Sequence, residues 1–117
     1  MLYSKERFVE DCLGELGVIA SGENPSAADS ASVKNALQQV ESMLLTEGLK
    51  DWHYGDGRIP DMKFRPLIYL VANEVKGLFG VSTEKSMMYS AKAEKSLGDL
   101  RRQVEDYESE PVKFSNL

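Results

Sequence analysis

Apolar residues recur at helical spacing in four stretches, separated by polar or glycine-bearing breaks. The densest is Pro66–Gly80. Leu67, Val71, Val75 and Leu78 form one row there, and Ile68, Ala72, Val75 and Phe79 form a second. Two adjacent rows make a wide face rather than a narrow seam, so the stretch reads as a buried central helix. Pro66 suits a first helical position, where its missing N–H costs nothing, and Gly80 suits a left-handed stop. The run is shorter than the roughly 20 apolar residues that cross a bilayer, and no membrane partner is expected.

The other stretches carry their own boundaries. Phe8, Cys12 and Leu16, with Val9 and Leu13 beside them, predict a first helix over Ser4–Leu16 with Ser4 as N-cap. Leu16-Gly17-Val18 has the glycine-then-apolar order of a Schellman stop, and Phe79-Gly80-Val81 repeats it. Ala20–Ala28 is a polar linker. A second helix starts between Pro25 and Ser30, with Ser26 and Asp29 at capping-box spacing. Val33, Leu37, Val40 and Leu44 make its buried stripe, Ala36 and Met43 flank it, and Lys34, Gln38, Gln39 and Glu41 face away. Gly48 ends it. Leu49–Arg65 has no helical period. Tyr54-Gly55-Asp56-Gly57 is turn chemistry, and residues 52–54 and 58–59 are expected to pair as a short hairpin around Asp56-Gly57. Arg65 precedes proline and is biased to extended geometry. A last helix over Ser82–Tyr107 carries Tyr89, Ala93, Leu97, Leu100, Val104 and Tyr107 on one face, with Ser82 or Thr83 as N-cap. It is longer than its neighbours and is expected to extend past the core. The expected fold is all-α: a small four-helix bundle over residues 1–108 with a long aromatic loop before the third helix. An extended tail over 109–117 follows, and either tucks onto its own domain or docks on another chain.

Length and charge narrow the possible functions. A chain of 117 residues fits one domain. Its net charge of -5 argues against gripping nucleic acid through phosphates, which takes clustered Lys and Arg. The N-terminal residues lack the layout of a signal peptide, and cytoplasm or a larger assembly is the expected setting. The single cysteine, Cys12, lies on an apolar helix face and reads as an inert buried thiol. The single histidine, His53, sits in a loop with too few companions for a metal site or a catalytic triad. The many carboxylates read as solvated faces, and the glycines match no phosphate-binding loop. No enzyme activity, cofactor or metal is expected.

The remaining candidates are contact residues. Trp52 and Tyr54, with Arg58 beyond the turn, form an aromatic cluster that either caps the core or anchors an interface. Arg101-Arg102 is the one adjacent basic pair, and on an acidic protein it is expected to meet a neighbour's carboxylates. Tyr107 and Phe114 are candidates for contacts at the end of the chain.

Taken in order, these segments resemble a known family. A first helix closes on Leu16-Gly17-Val18, and a polar linker leads to an amphipathic helix with Val33, Leu37, Val40 and Leu44. A Trp-containing loop then precedes the helix that carries Pro66-Leu67-Ile68-Tyr69-Leu70-Val71-Ala72 and closes on Phe79-Gly80-Val81. A long helix and a tail complete the order. This resembles the head-completion adaptors of tailed bacteriophages, in particular the packaged-DNA stabilisation (tail accessory factor) group of short-tailed phages. The resemblance implies a structural role at the head–tail neck of the virion, after assembly in host cytoplasm. The partners it implies are the portal protein, tail or tail-needle proteins, and further copies in a ring, twelvefold by that resemblance and monomeric when free. DNA would pass nearby without specific binding. The alternative is a small cytoplasmic helical regulator that binds one protein partner.

Overall fold

In the computed structural model, which describes residues 1–108, four helices make an all-α bundle. They are α1 (Lys5–Glu15), α2 (Ala27–Thr46), α3 (Asp61–Val75) and α4 (Thr83–Glu108). Two short strands, β1 (Leu2–Tyr3) and β2 (Ile59–Pro60), pair antiparallel, with Leu2 opposite Pro60 and Tyr3 opposite Ile59. The helix α3 packs against each of the other three and is the centre of the bundle, as its double apolar row predicts.

Local chemistry sets most helix ends. Ser4 Oγ accepts the Arg7 amide at 3.1 Å, Ser26 Oγ accepts the Asp29 amide at 3.1 Å, and Ser82 Oγ accepts the Lys85 amide at 3.2 Å. Each bond satisfies one amide that lacks a helical acceptor. At the end of α1, Val18 N–H donates to Leu13 O at 2.9 Å and Gly17 N–H to Gly14 O at 3.1 Å, the paired bonds of a Schellman stop. The end of α2 repeats them, from Leu49 to Leu44 at 2.8 Å and from Gly48 to Leu45 at 3.1 Å. Phe8, Leu37, Leu67, Ile68, Tyr89 and Leu100 are fully buried, and each such side chain contributes about 1.5–3 kcal/mol of transfer free energy. Tyr89 also donates from its hydroxyl to Glu15 O at 2.7 Å, tying α4 to the last turn of α1.

Three expectations need correction. The first concerns Pro66, which lies inside α3 rather than at its start. A proline there leaves the carbonyl four residues earlier, that of Met62, without its helical donor. Gln103 Nε2, from α4, donates to Met62 O at 3.2 Å. The turn before Pro66 also has a core to join. Phe64 is buried, with Tyr3 at 4.4 Å between ring centroids and Phe8 edge-on at 5.6 Å. This packing overrides the extended bias of Arg65, which is helical. The second concerns the hairpin. Gly57 N–H does close a turn onto Tyr54 O at 2.9 Å, but the flanking residues do not pair with each other. Trp52 is drawn into the core and Ile59 pairs with the N-terminus instead. That ribbon supplies the missing cap of α3, since Asp61 N–H donates to Met1 O at 3.0 Å. The third concerns the end of α3. The α-helix stops at Val75 and passes into one 3-10 turn, Lys76–Leu78, closed by Phe79 N–H to Lys76 O at 3.3 Å. The tighter winding rotates Leu78 off the buried row, so it is 70% exposed.

Candidate functional site

The aromatic loop separates its two rings. Trp52 is 5% exposed and belongs to the core, whereas Tyr54 is 43% exposed. Two ammonium groups lie near the Trp52 ring, Lys50 Nζ at 5.1 Å and Lys63 Nζ at 5.6 Å from its centroid. Lys50 also donates to Trp52 O at 2.8 Å, and Lys63, itself buried, pairs with Asp51 at 3.0 Å. Glu41 lies half-buried beside this cluster rather than on an open face. Burial pushes its carboxyl up, against the opposing pull of Lys50, Lys5 and a hydrogen bond with the Trp52 side chain. Tyr54 opens onto a cleft of about 440 Å³, shared with Lys5, Glu41, Lys50 and His53. Arg58 pairs with Asp56 at 2.5 Å and so is engaged within the loop.

The basic pair on α4 divides. Arg102 is engaged by Asp99, one turn earlier on its own helix. Arg101 is exposed and lines a cleft with Glu47, Leu49 and Val104 at the end of α2. The structure thus brings Arg101 to the same end of α2 as the aromatic loop, since Leu45 lines the Tyr54 cleft. Of Tyr107 only the backbone is described, in the last turn of α4, and Phe114 lies outside the described residues together with the expected docking of the tail.

A third surface has no counterpart in the sequence reading. Between α3 and α4 runs a groove of about 400 Å³, lined by Arg65, Pro66, Tyr69, Lys92, Lys95, Ser96 and Asp99. Lys92 Nζ lies 4.7 Å over the Tyr69 ring and 3.5 Å from its hydroxyl. Among the described residues Arg65 and Lys95 have no ion-pair or hydrogen-bond partner. Ser96 is 4% exposed, and its hydroxyl likewise has none. A signal for this groove was present on α4, because residues 92, 95, 96 and 99 share one helical face. Arg65 joins them only because α3 begins at Asp61, which the proline rule obscured.

Of the two reactive groups, Cys12 lies apart from these surfaces and His53 lines the Tyr54 cleft. Cys12 is buried, and desolvation pushes its thiol up to about 12. His53 is exposed in the loop, and among the described residues no group of three or more His, Cys, Asp or Glu is placed to hold a metal ion. No described helix is long and apolar enough to cross a membrane. The surfaces described are an aromatic-edged cleft, the Arg101 cleft and a cationic groove. No family model, curated protein or solved structure matches the chain.

Proposed function

We propose that the chain is a structural adaptor of the tailed-bacteriophage neck. In this reading it binds the portal vertex, forms a ring with its own copies, extends the DNA channel, helps to retain packaged DNA and presents a platform for the tail. The order of helices, stops and Trp-bearing loop supports it, and one geometric observation carries it. A ring is a heterologous assembly in which each copy needs two different, complementary surfaces. The α3–α4 groove and the Arg101 cleft lie on opposite faces of α4, because Lys92 and Arg101 are nine residues apart, about 180° around a helix of 3.6 residues per turn. An acidic subunit also suits a channel through which DNA must slide, since like charge repels phosphates over about a Debye length of 8 Å. The test is to mix the protein with purified portal and follow it by native mass spectrometry and negative-stain microscopy. A portal-bound ring of fixed stoichiometry is expected. A chain that stays monomeric and ignores portal sinks the adaptor and favours a regulator with a single partner.

A further inference from the structure

We infer that the α3–α4 groove is a carboxylate-recognition slot that takes the Asp or Glu side chains of an acidic segment on a partner protein. The groove's own chemistry suits such a segment whether it belongs to a portal, a neighbouring copy or another protein.

Three cations, Arg65, Lys92 and Lys95, line the groove against one carboxylate, Asp99, which Arg102 already engages. On a chain of net charge -5, two of these cations are left without a partner among the described residues. Like charges gathered in a concave site repel one another, and an incoming anion relieves that repulsion. The floor supplies the remaining hydrogen bonds. Ser96 presents an unpartnered hydroxyl from a buried position, and the Tyr69 hydroxyl lies beside the Lys92 ammonium. The Ser96 hydroxyl keeps contact with solvent, since Gln103 Oε1 alone among the described side-chain polar atoms is both buried and unpartnered, so it is open to an incoming acceptor.

The form of the site selects the anion. Every lining residue sits inside α3 or α4, clear of their first turns, so the groove offers no free backbone N–H groups. Phosphate sites characteristically use such groups, at helix N-termini or in nests. A planar carboxylate needs only the fork of a guanidinium with an ammonium or hydroxyl beside it, which Arg65, Lys95 and Ser96 supply. Three cations are also too few for duplex DNA, whose binders commonly make about 6–10 phosphate contacts.

The experiment is a chemical-shift titration of the isotope-labelled full chain at low salt, with a short, end-blocked peptide of alternating Glu and Gly. Saturable shifts are expected at the amides of Arg65, Tyr69, Lys92, Lys95 and Ser96, and these vanish when Gln replaces Glu in the peptide. Arg65→Gln and Lys95→Gln, both at exposed positions, each weaken binding about fivefold, while Arg101→Gln leaves it unchanged. Circular dichroism of each variant establishes that it is folded. Shifts that never saturate, or that spread along the whole of α4, overturn the slot. Inorganic phosphate binding the same amides as tightly as the peptide makes it a small-oxyanion site instead. Tighter binding of duplex DNA makes it a nucleic-acid contact. Failure of the portal mixture with success here leaves the slot standing and removes only the adaptor.

Discussion

Pro66 and Gln103 are predicted to be energetically coupled although they lie on different helices. A proline inside a helix costs about 3 kcal/mol relative to alanine, of which about 1 kcal/mol is recovered because it stiffens the unfolded chain. Pro66→Ala is therefore expected to stabilise the fold by about 2 kcal/mol. The same change restores an N–H for Met62 O, which Gln103 Nε2 now serves at 3.2 Å. Replacing Gln103 alone has two opposed effects. It removes a hydrogen bond worth about 1 kcal/mol, and it also removes Gln103 Oε1, a buried oxygen with no partner, whose burial costs about 1–3 kcal/mol. The single variant Gln103→Leu can thus be near neutral and decides nothing. The double-mutant cycle does decide, because the Oε1 contribution is common to both backgrounds and cancels. Gln103→Leu should be about 1 kcal/mol more costly with Pro66 present than in the Pro66→Ala background. The assay is urea unfolding followed by circular dichroism on the four proteins. Coupling within about 0.3 kcal/mol of zero would mean that Met62 O is served by water and that Gln103 does not rescue the proline.

Three further outcomes follow from the same structure. Tyr89→Phe keeps the packing of a fully buried ring and removes only its bond to Glu15 O, so a loss of about 1 kcal/mol is expected in urea unfolding, against about 3–5 kcal/mol for Tyr89→Ala; equal losses would refute the assignment. Glu41 binds its proton more tightly in the folded chain, so its contribution to stability falls as pH rises from its ordinary value of 4.5 towards the raised folded value; Glu41→Gln should therefore gain on the wild type as pH rises above 4.5, and a change in the opposite direction counts against burial as the main cause. Cys12, with its thiol pushed up to about 12, should resist alkylation at about pH 8 in the native protein and react once urea opens the core; rapid native modification would place the thiol outside the apolar face of α1.

The features legible in the sequence are those that short-range chemistry decides. Ser4, Ser26 and Ser82 cap the helices they precede, and Leu16-Gly17-Val18 closes α1, because each bond spans only a few residues. The departures come from partners far away in the chain. Two residues, Leu2 and Tyr3, carry no strand period that could be recognised, yet they pair with Ile59 and Pro60. The helical rule for Pro66 failed because Gln103, 37 positions later, supplies the missing donor, while Tyr3 and Phe8 make the preceding turn worth folding. Placing Arg65 in a helix is what completes the cationic groove, so one local misreading hid the site as well as the helix start. Of the residues singled out beforehand, Trp52 was hard to place because a loop aromatic has the same sequence signature whether it faces inward or outward; two flanking lysines and Glu41 settle its position.

Charge links the fold to the proposed surfaces. Several cations of this acidic chain are committed nearby: Arg7 to Asp11, Arg58 to Asp56, Lys63 to Asp51 and Arg102 to Asp99. Apart from Lys63–Asp51, whose lysine is buried, these are exposed pairs that contribute only about 0.2–1 kcal/mol each, so they decide solubility and local order more than stability. Of the cations without such a partner, Arg65 and Lys95 line the groove on one side of α4 and Arg101 lines the cleft on the other. Both surfaces are carried by the same helix, and Gly98 lies between them. A Cβ there would meet only Arg102 Nη1, at 4.0 Å, and the backbone needs no left-handed turn, so neither packing nor geometry requires a glycine. Gly98→Ala is accordingly expected to stabilise α4 by about 1 kcal/mol. Pairing that measurement with the portal mixture separates two roles for the helix. If α4 is a rigid strut, the stiffer variant assembles as the wild type does. If it must bend to bring both surfaces into contact, Gly98→Ala stabilises the free chain and slows ring formation, and the rigid-strut account fails.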